Sequence, residues 1–265
     1  YWDAYNHALP DEDLNEHLRR IPWDKKILLF VGAFTSGKGL QSLITAFPFI
    51  LEHNPDTHLI IIGAGAYREV LEGLTYAVTA SNSQLFLELC RKGMDLDRNE
   101  LTGPWEDVHT FLEHGHEMSR IMEFGKTLSS HIHFLGRLDH SRLQYLFPCA
   151  DIAVFPSIIP EAYPLVLMES LSNGVLPAVS YFSGFKDGLD ELVPHLGSDI
   201  VDLLKISVNP ADRIESIIKN ISALLSLPVI ERHTEKLRRI AVENYDWKIQ
   251  AGKLAEAYLH VLNTH

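Results

Sequence analysis

Two carboxylates stand eight residues apart in the run Pro160-Glu161-Ala162-Tyr163-Pro164-Leu165-Val166-Leu167-Met168-Glu169. Carboxylates accept hydrogen bonds from hydroxyl groups. The run before them, Asp151-Ile152-Ala153-Val154-Phe155-Pro156-Ser157, is predicted to be a buried strand stopped by Pro156. The run after Glu161 is predicted to be a helix, with Pro164 at its first position and Gly174 at its C-terminal cap. A helix start after a strand gathers free backbone N–H groups and favours anions. Glu169 lies four residues after Leu165, on the same helix face, and leans toward the helix start. The spacing therefore predicts one small pocket in which the amides of Leu165 and Val166 hold an anion and Glu161 and Glu169 take hydroxyl-bearing rings beside it. A phosphate joined to sugars has that chemistry. The alternative, a solvated Glu161 and an ordinary helix carboxylate at Glu169, stays open on spacing alone.

A second candidate for phosphate chemistry is Gly32-Ala33-Phe34-Thr35-Ser36-Gly37-Lys38-Gly39, directly after a predicted strand. It falls short of a P-loop because Gly39 stands where that motif needs a hydroxyl residue for magnesium, and no strand ending in Asp follows. Glycines still let backbone approach a phosphate, and Lys38 supplies charge. Gly63-Ala64-Gly65-Ala66-Tyr67-Arg68 fails the dinucleotide fingerprint because Arg68 stands where a small residue is needed. Among the 14 histidines, His114-Gly115-His116 and His131-Ile132-His133 have alternating spacing, but neither pair carries Cys or carboxylates at metal-ligand intervals. No metal is expected. No Gly-x-Ser-x-Gly elbow or nucleophile–base pair is found.

The elements that must position these residues alternate. Strands are predicted at 27–31, 58–62, 132–135, 151–155 and 176–180, with a further candidate at 203–207. Helices are predicted at 39–53, 66–76, 140–147, 164–173, 211–226, 230–243 and 246–262. The fold class is therefore α/β: a Rossmann-like, mostly parallel sheet with helices on both faces. Residues 77–130 interrupt the alternation. The runs 83–90 and 108–122 have helical spacing, so the segment is predicted to be a helical insertion within a single domain of residues 1–265, forming a flap or hairpin near the cleft or a surface elaboration. The stripe Leu254, Tyr258 and Val261 is predicted to be core or interdomain packing.

With 46% hydrophobic residues in 265, the chain can bury a full core. No run approaches the roughly 20 apolar residues of a membrane span. The net charge of −12 disfavours nucleic acid or an anionic membrane as partner of the whole surface. Two cysteines, Cys90 and Cys149, argue against a disulfide framework and fit a reducing, cytoplasmic compartment. The chain starts Tyr1-Trp2-Asp3, without Met or a signal-peptide pattern, as expected of a piece of a longer protein.

The Glu-x7-Glu pair after a Pro-Ser strand end resembles the C-terminal, donor-binding domain of retaining glycosyltransferases of the GT-B fold, family 4 (group 1). Leu28-Leu29-Phe30-Val31-Gly32 with Lys38-Gly39-Leu40, Leu59-Ile60-Ile61-Ile62-Gly63-Ala64-Gly65, Ile132-His133-Phe134-Leu135-Gly136-Arg137-Leu138 and Asn244-Tyr245-Asp246-Trp247 resemble further family motifs in the family's order, over roughly residues 27–75 and 131–262. The resemblance implies a nucleoside-diphosphate sugar as donor (UDP-, GDP- or ADP-linked), no cofactor and no metal. It implies that Glu169 takes the ribose hydroxyls and Glu161 the donor sugar. Leu165 and Val166, just after Pro164, cradle the diphosphate with their amides, and Lys38 neutralises it as it leaves. Gly32 and Ala33 line the donor site, and Arg137 and Leu138 flank the base. Transfer to the acceptor is then front-face, assisted by the departing phosphate. Ala33 departs from the family, which has Arg there; Arg137, Arg142 and Lys186 are the candidates for compensation. Gly174-Val175-Leu176-Pro177 departs in spacing, and residues 1–26 cannot supply the N-terminal acceptor-binding domain that the family requires. The chain is then half of an active site. The alternatives are a GT-B sugar phosphorylase-like domain and a non-catalytic sugar-nucleotide-binding module.

Overall fold

A computed structural model describes residues 10–11, 13–97, 101–113, 117–228 and 235–263. Six parallel strands form one sheet: β1 (Lys26–Val31), β2 (Thr57–Ile62), β3 (Ile132–Phe134), β4 (Ile152–Phe155), β5 (Leu176–Ser180) and β6 (Lys205–Ile206). Their order across the sheet is β3-β2-β1-β4-β5-β6. β2, β4 and β5 are buried at every position. Continuous apolar runs such as Leu59–Ile62 and Ile152–Phe155 fit strands covered on both faces. Register is pinned along β1, where Lys26 to Val31 face Thr57 to Ile62 one for one.

The helix Leu40–His53 shows why the interrupting segment exists. Every residue from Leu40 to Leu51 is buried, so this helix needs cover on all sides. The sheet alone does not supply it. Helix Arg213–Ser226 packs along it, and so do helices Glu106–Glu113 and Glu117–Phe124, which lie inside 77–130. Trp105, Val108 and Ile121 are fully buried, as is Phe86 of helix Ser83–Lys92. This corrects the expectation of a flap or surface elaboration. The segment contributes to the core, and none of its described residues lines the clefts described below. The pair His114 and His116 lies outside the described residues, as does the start of the predicted helix at 230, whose visible part is Glu235–Tyr245.

Two expectations near the C-terminal half are corrected. Leu203 and Leu204 end a helix, Ser198–Leu204, and leave β6 with two residues. The helix Ser183–Leu196 was not legible as a period because Gly184, Gly188 and Pro194 interrupt it. The last helix, Trp247–Asn263, forms as predicted. Its stripe is not core, however: Leu254, Tyr258 and Val261 are all more than half exposed. No helix of the described residues is long and apolar enough to cross a membrane.

Candidate functional site

The strand order reverses between β1 and β4, which lie side by side although 120 residues separate them in the chain. In open α/β sheets this reversal opens a crevice at the C-terminal strand ends, because the flanking loops leave in opposite directions. Here the loop after β1 carries Lys38 and the loop after β4 carries Glu161. Lys38 sits in a 3-10 turn, Ser36–Lys38, closed by Gly39. Gly39 has φ +71°, and a Cβ there would meet the Pro156 carbonyl oxygen at 1.8 Å. Only glycine lets the two loops approach this closely. They are further joined by Ile158 N–H donating to Gly37 O at 2.8 Å.

The structure brings Lys38 and Glu161 into direct ion pairing through Nζ and Oε1. The two side chains are 28% and 21% exposed, so the pair is partly shielded but open to a ligand. Ser157 Oγ lies 3.1 Å from Glu161 Oε1 and 3.1 Å from Gly37 O, at the meeting point of both loops. Glu161 is also held from its backbone. Its carbonyl accepts from Gly184 N–H at 2.8 Å and from Ser183 Oγ at 3.0 Å, at the start of helix Ser183–Leu196. A Cβ at Gly184 would lie 2.5 Å from that oxygen, so glycine is needed for the contact.

The helix Leu165–Ser172 opens onto the same place. It begins one residue later than expected, with Pro164 as an extended cap residue that makes no side-chain hydrogen bond. The first amides of a helix have no partner inside it, so Leu165 and Val166 present theirs at the cleft they line. That cleft, of about 290 Å³, is lined by Gly32, Ala33, Lys38, Ser157, Glu161, Tyr163, Pro164, Leu165 and Val166, among others. Glu169 is not in it. Glu169 lines a neighbouring cleft of about 460 Å³ with Tyr245 and Trp247, and its Oε1 lies 3.7 Å from His140 Nδ1. Tyr163 and Leu165 line both clefts and form the ridge between them. The two carboxylates thus occupy adjoining clefts rather than the one small pocket expected. A third cleft, of about 310 Å³, continues on the other side through Gly32 and Ala33 to Arg137 and Leu138.

Three adjoining clefts therefore form the groove: Gly32 and Ala33 are shared between the cleft of Arg137 and that of Lys38 and Glu161, and Tyr163 and Leu165 between the latter and that of Glu169. Its polar groups are a guanidinium, an ammonium with a carboxylate, open amides and a second carboxylate. Of the three candidates for replacing a cation at Ala33, Arg142 is 3.6 Å from Asp139 and Lys186 is 2.6 Å from Asp190. Arg137 is exposed, lines the same cleft as Ala33 and makes no hydrogen bond or ion pair among the described residues. Leu138 is buried, so its backbone is what it offers to a ligand. Sequence reasoning missed Tyr163, Ser157 and His140 as site residues. Tyr163 and Ser157 stood inside the quoted motif, whereas His140 had no signal because it reaches Glu169 from another helix, His140–Leu146.

Among the described residues, Asp11, Asp13 and His17 form a three-ligand grouping that geometry would allow for a metal. Arg68 already engages both oxygens of Asp11, at 2.6 and 2.7 Å. The imidazoles of the predicted pair His131 and His133 do share a neighbourhood, but with a third ring, His58. His58 Nδ1 is 3.1 Å from His133 Nε2, and the His58 and His131 rings stack at 4.6 Å.

The fold and groove define a doubly wound α/β domain with its ligand crevice at the strand-order reversal. The chain belongs to the family Glycosyl transferases group 1, which it matches over residues 13–92 and 125–244. It is 22% identical over 240 residues to phosphatidyl-myo-inositol mannosyltransferase of Mycobacterium tuberculosis, covering 89% of this chain and 48% of that protein. Among solved structures it resembles the sucrose-phosphate synthase of Thermosynechococcus elongatus, with a TM-score of 0.56 at 19% identity over 97% of this chain and 50% of that one. It also resembles Anabaena HepE, a structure in complex with UDP and glucose, with a TM-score of 0.55 at 16% identity over 94% and 52% of the two chains. The fold is the Rossmann-like fold of GT-B glycosyltransferases. The chain spans about half the length of the curated relatives it matches.

Proposed function

We propose that this chain is the donor-binding half of a retaining glycosyltransferase that moves a hexose from a UDP-, GDP- or ADP-sugar to an acceptor held by a further, N-terminal domain. The observation that carries this reading is the meeting of Lys38 and Glu161 beside the open start of helix Leu165–Ser172, at the reversal of strand order. The diphosphate sits on the amides of Leu165 and Val166, next to Lys38. Glu161 takes hydroxyls of the donor sugar, and Glu169 takes the ribose hydroxyls beyond Tyr163. Arg137 supplies the second cation that Ala33 does not, and it and the Leu138 backbone flank the base.

In the transfer step the bond from the sugar's anomeric carbon to the diphosphate oxygen breaks. A bond to the acceptor oxygen forms on the same face, and the acceptor's proton passes to the departing phosphate. Fixed donors aimed at developing charge stabilise such a transition state. Lys38, Arg137 and the two amides do so here without a metal. The two free cysteines, Cys90 and Cys149, suit a reducing, cytoplasmic compartment.

Calorimetry with UDP, GDP and ADP, against the matching nucleosides, tests the donor class directly. Glu169→Gln is expected to weaken the bound nucleotide by about ten-fold, the effect of losing hydrogen bonds to a charged group worth roughly 1.5–3 kcal/mol. A 2′,3′-dideoxynucleotide should lose the same affinity on the native chain and little more on the variant. Additive losses would show that Glu169 and the ribose do not touch.

The 265-residue chain by itself is expected to bind donor without transferring sugar. Orientation of both reactants supplies several kcal/mol of a barrier, and the groove orients only one of them. Release of nucleoside diphosphate, followed with sugar nucleotides and candidate acceptors, should show no acceptor-dependent turnover. Sustained turnover would overturn the half-site reading.

A further inference from the structure

The family match leaves residues 93–124 uncovered, yet this segment reaches both loops of the candidate site from behind. Asp97 is 4% exposed, and its Oδ2 accepts a hydrogen bond from Ser36 N–H at 2.5 Å, at the first residue of the turn that carries Lys38. Asp107 is also buried. Its Oδ2 accepts from Ser42 Oγ at 2.5 Å and lies 3.7 Å from Arg213 Nε. Arg213 is 3% exposed and donates to Pro156 O at 3.1 Å, Ser157 O at 3.4 Å and Val208 O at 3.2 Å. Pro156 and Ser157 begin the loop that carries Glu161.

The segment is itself anchored next to the first loop. Trp105 Nε1 donates to Tyr67 Oη at 2.7 Å, and Tyr67 Oη donates to Gly93 O at 2.9 Å. Tyr67 N–H in turn reaches Phe34 O at 3.3 Å. Both Tyr67 and Trp105 are fully buried.

We propose that the segment 93–124 sets the separation of Lys38 and Glu161. Asp97 is the positioning residue for the Lys38 turn, and Asp107 with Arg213 positions the Ser157–Glu161 loop. This rests on the reading of the cleft as a diphosphate site. The physical reason is that a short turn has few contacts of its own to hold it. The buried carboxylate fixes the Ser36 amide, and with it the direction in which Lys38 leaves the backbone. A buried carboxylate bonded to one loop and a buried Asp107–Arg213 contact bonded to the other specify one arrangement of the groups they join. Neither Asp97 nor Asp107 lines the cleft, so neither touches a ligand there.

The test uses the 265-residue chain, with UDP and GDP against uridine and guanosine as probes, and amide hydrogen exchange at Lys38 and Gly39. Both amides are hydrogen-bonded within the turn, to Thr35 O and Ser36 O. In Asp97→Ala the diphosphate that binds the native chain is expected to lose about ten-fold in affinity, while the nucleoside loses less than about two-fold. Exchange at Lys38 and Gly39 should quicken while that of β1 and β2 does not. Asp97→Asn keeps a carbonyl oxygen for Ser36 N–H and should restore diphosphate affinity to within about three-fold. Equal losses for nucleotide and nucleoside, or unchanged exchange in the turn, overturn the proposal. If Asp97→Ala does not fold, exchange in Asp97→Asn decides, because a weaker acceptor should still quicken the two amides and an unchanged rate overturns the role. A native chain that binds none of the nucleotides refutes the donor-site reading instead, and the exchange measurement still decides whether Asp97 orders the turn.

Discussion

Replacing Lys38 by Ala is expected to weaken nucleoside-diphosphate binding by about 10- to 100-fold and to leave nucleoside binding unchanged, since a hydrogen bond to a charged group is worth roughly 1.5–3 kcal/mol and each 1.4 kcal/mol is ten-fold. Among the described residues it is the one cationic side chain lining the cleft at the open helix start, and that cleft screens it only in part. The companion change has the opposite sign. Glu161 occupies Lys38 when the groove is empty, so a diphosphate must share that cation with a carboxylate of its own sign. Glu161→Gln removes the competing charge and keeps the shape. It should tighten the diphosphate several-fold, while sugar transfer by the full-length protein falls by about 100-fold or more, the scale seen when one group that stabilises a transition state is lost. Calorimetry on the two variants with the same nucleotide separates the roles. If both variants weaken the diphosphate alike, Lys38 and Glu161 act only as a structural ion pair. If neither changes it, the diphosphate binds elsewhere.

That pairing was only half legible in the sequence. Lys38 stood out because glycines surround it, and Glu161 because Glu169 follows at a fixed interval. Each signal is local. Their meeting depends on β1 and β4 being neighbours, and nothing within either motif states the strand order. The split of Glu161 and Glu169 into adjoining clefts turns on Tyr163 and Leu165, which line both.

Other misses share a cause: the feature that hid an element is the feature that makes it useful. Gly184 and Gly188 blur the helical period of Ser183–Leu196, yet Gly184 is what lets that helix start touch the Glu161 carbonyl. The segment 77–130 read as a polar interruption because its links are rich in Asp, Gly and Pro. Its buried residues, Phe86, Trp105, Val108 and Ile121, are spread thinly between them. What they cover, the helix Leu40–His53, buries Gln41, Ser42 and Thr45 along with its apolar residues and so needs neighbours on all sides. Strands β1, β2, β4 and β5 were the most legible elements, because four to six consecutive buried residues leave little choice once both faces of the sheet are covered, whereas β6, with two residues, was not.

Acidification is expected to destabilise the fold through two histidines on the adjacent strands β2 and β3, at one edge of the sheet. His58 and His133 both have pKa values lowered to about 4, chiefly because burial penalises the charged ring, and next because neighbouring histidines repel the charge. For His58 that neighbour is His131, with Lys25 adding to it and Asp56 opposing it. For His133 they are His58, His131 and His17. The contact itself excludes a charge on both rings at once. His58 Nδ1 and His133 Nε2 are 3.1 Å apart, so one nitrogen must accept the other's proton, and two imidazolium rings would present two donors. Above pH 6.5 both rings are neutral, folded or unfolded. Between 6.5 and 4 the unfolded chain takes up protons that the folded chain refuses, so stability falls as the pH drops and the contribution of these rings levels off below about 4. A unit of pKa separation is worth about 1.4 kcal/mol. Solvent reaches part of the His133 ring, so a combined loss of about 3 kcal/mol is expected for the pair. Urea unfolding at pH 7, 6, 5 and 4 measures it, with His133→Gln as the control that keeps a hydrogen-bonding side chain but does not titrate. The native chain should lose stability more steeply than the variant across this window. Parallel curves would mean that the two rings titrate alike in the folded and unfolded chain, and the short contact between them would then have no energetic consequence.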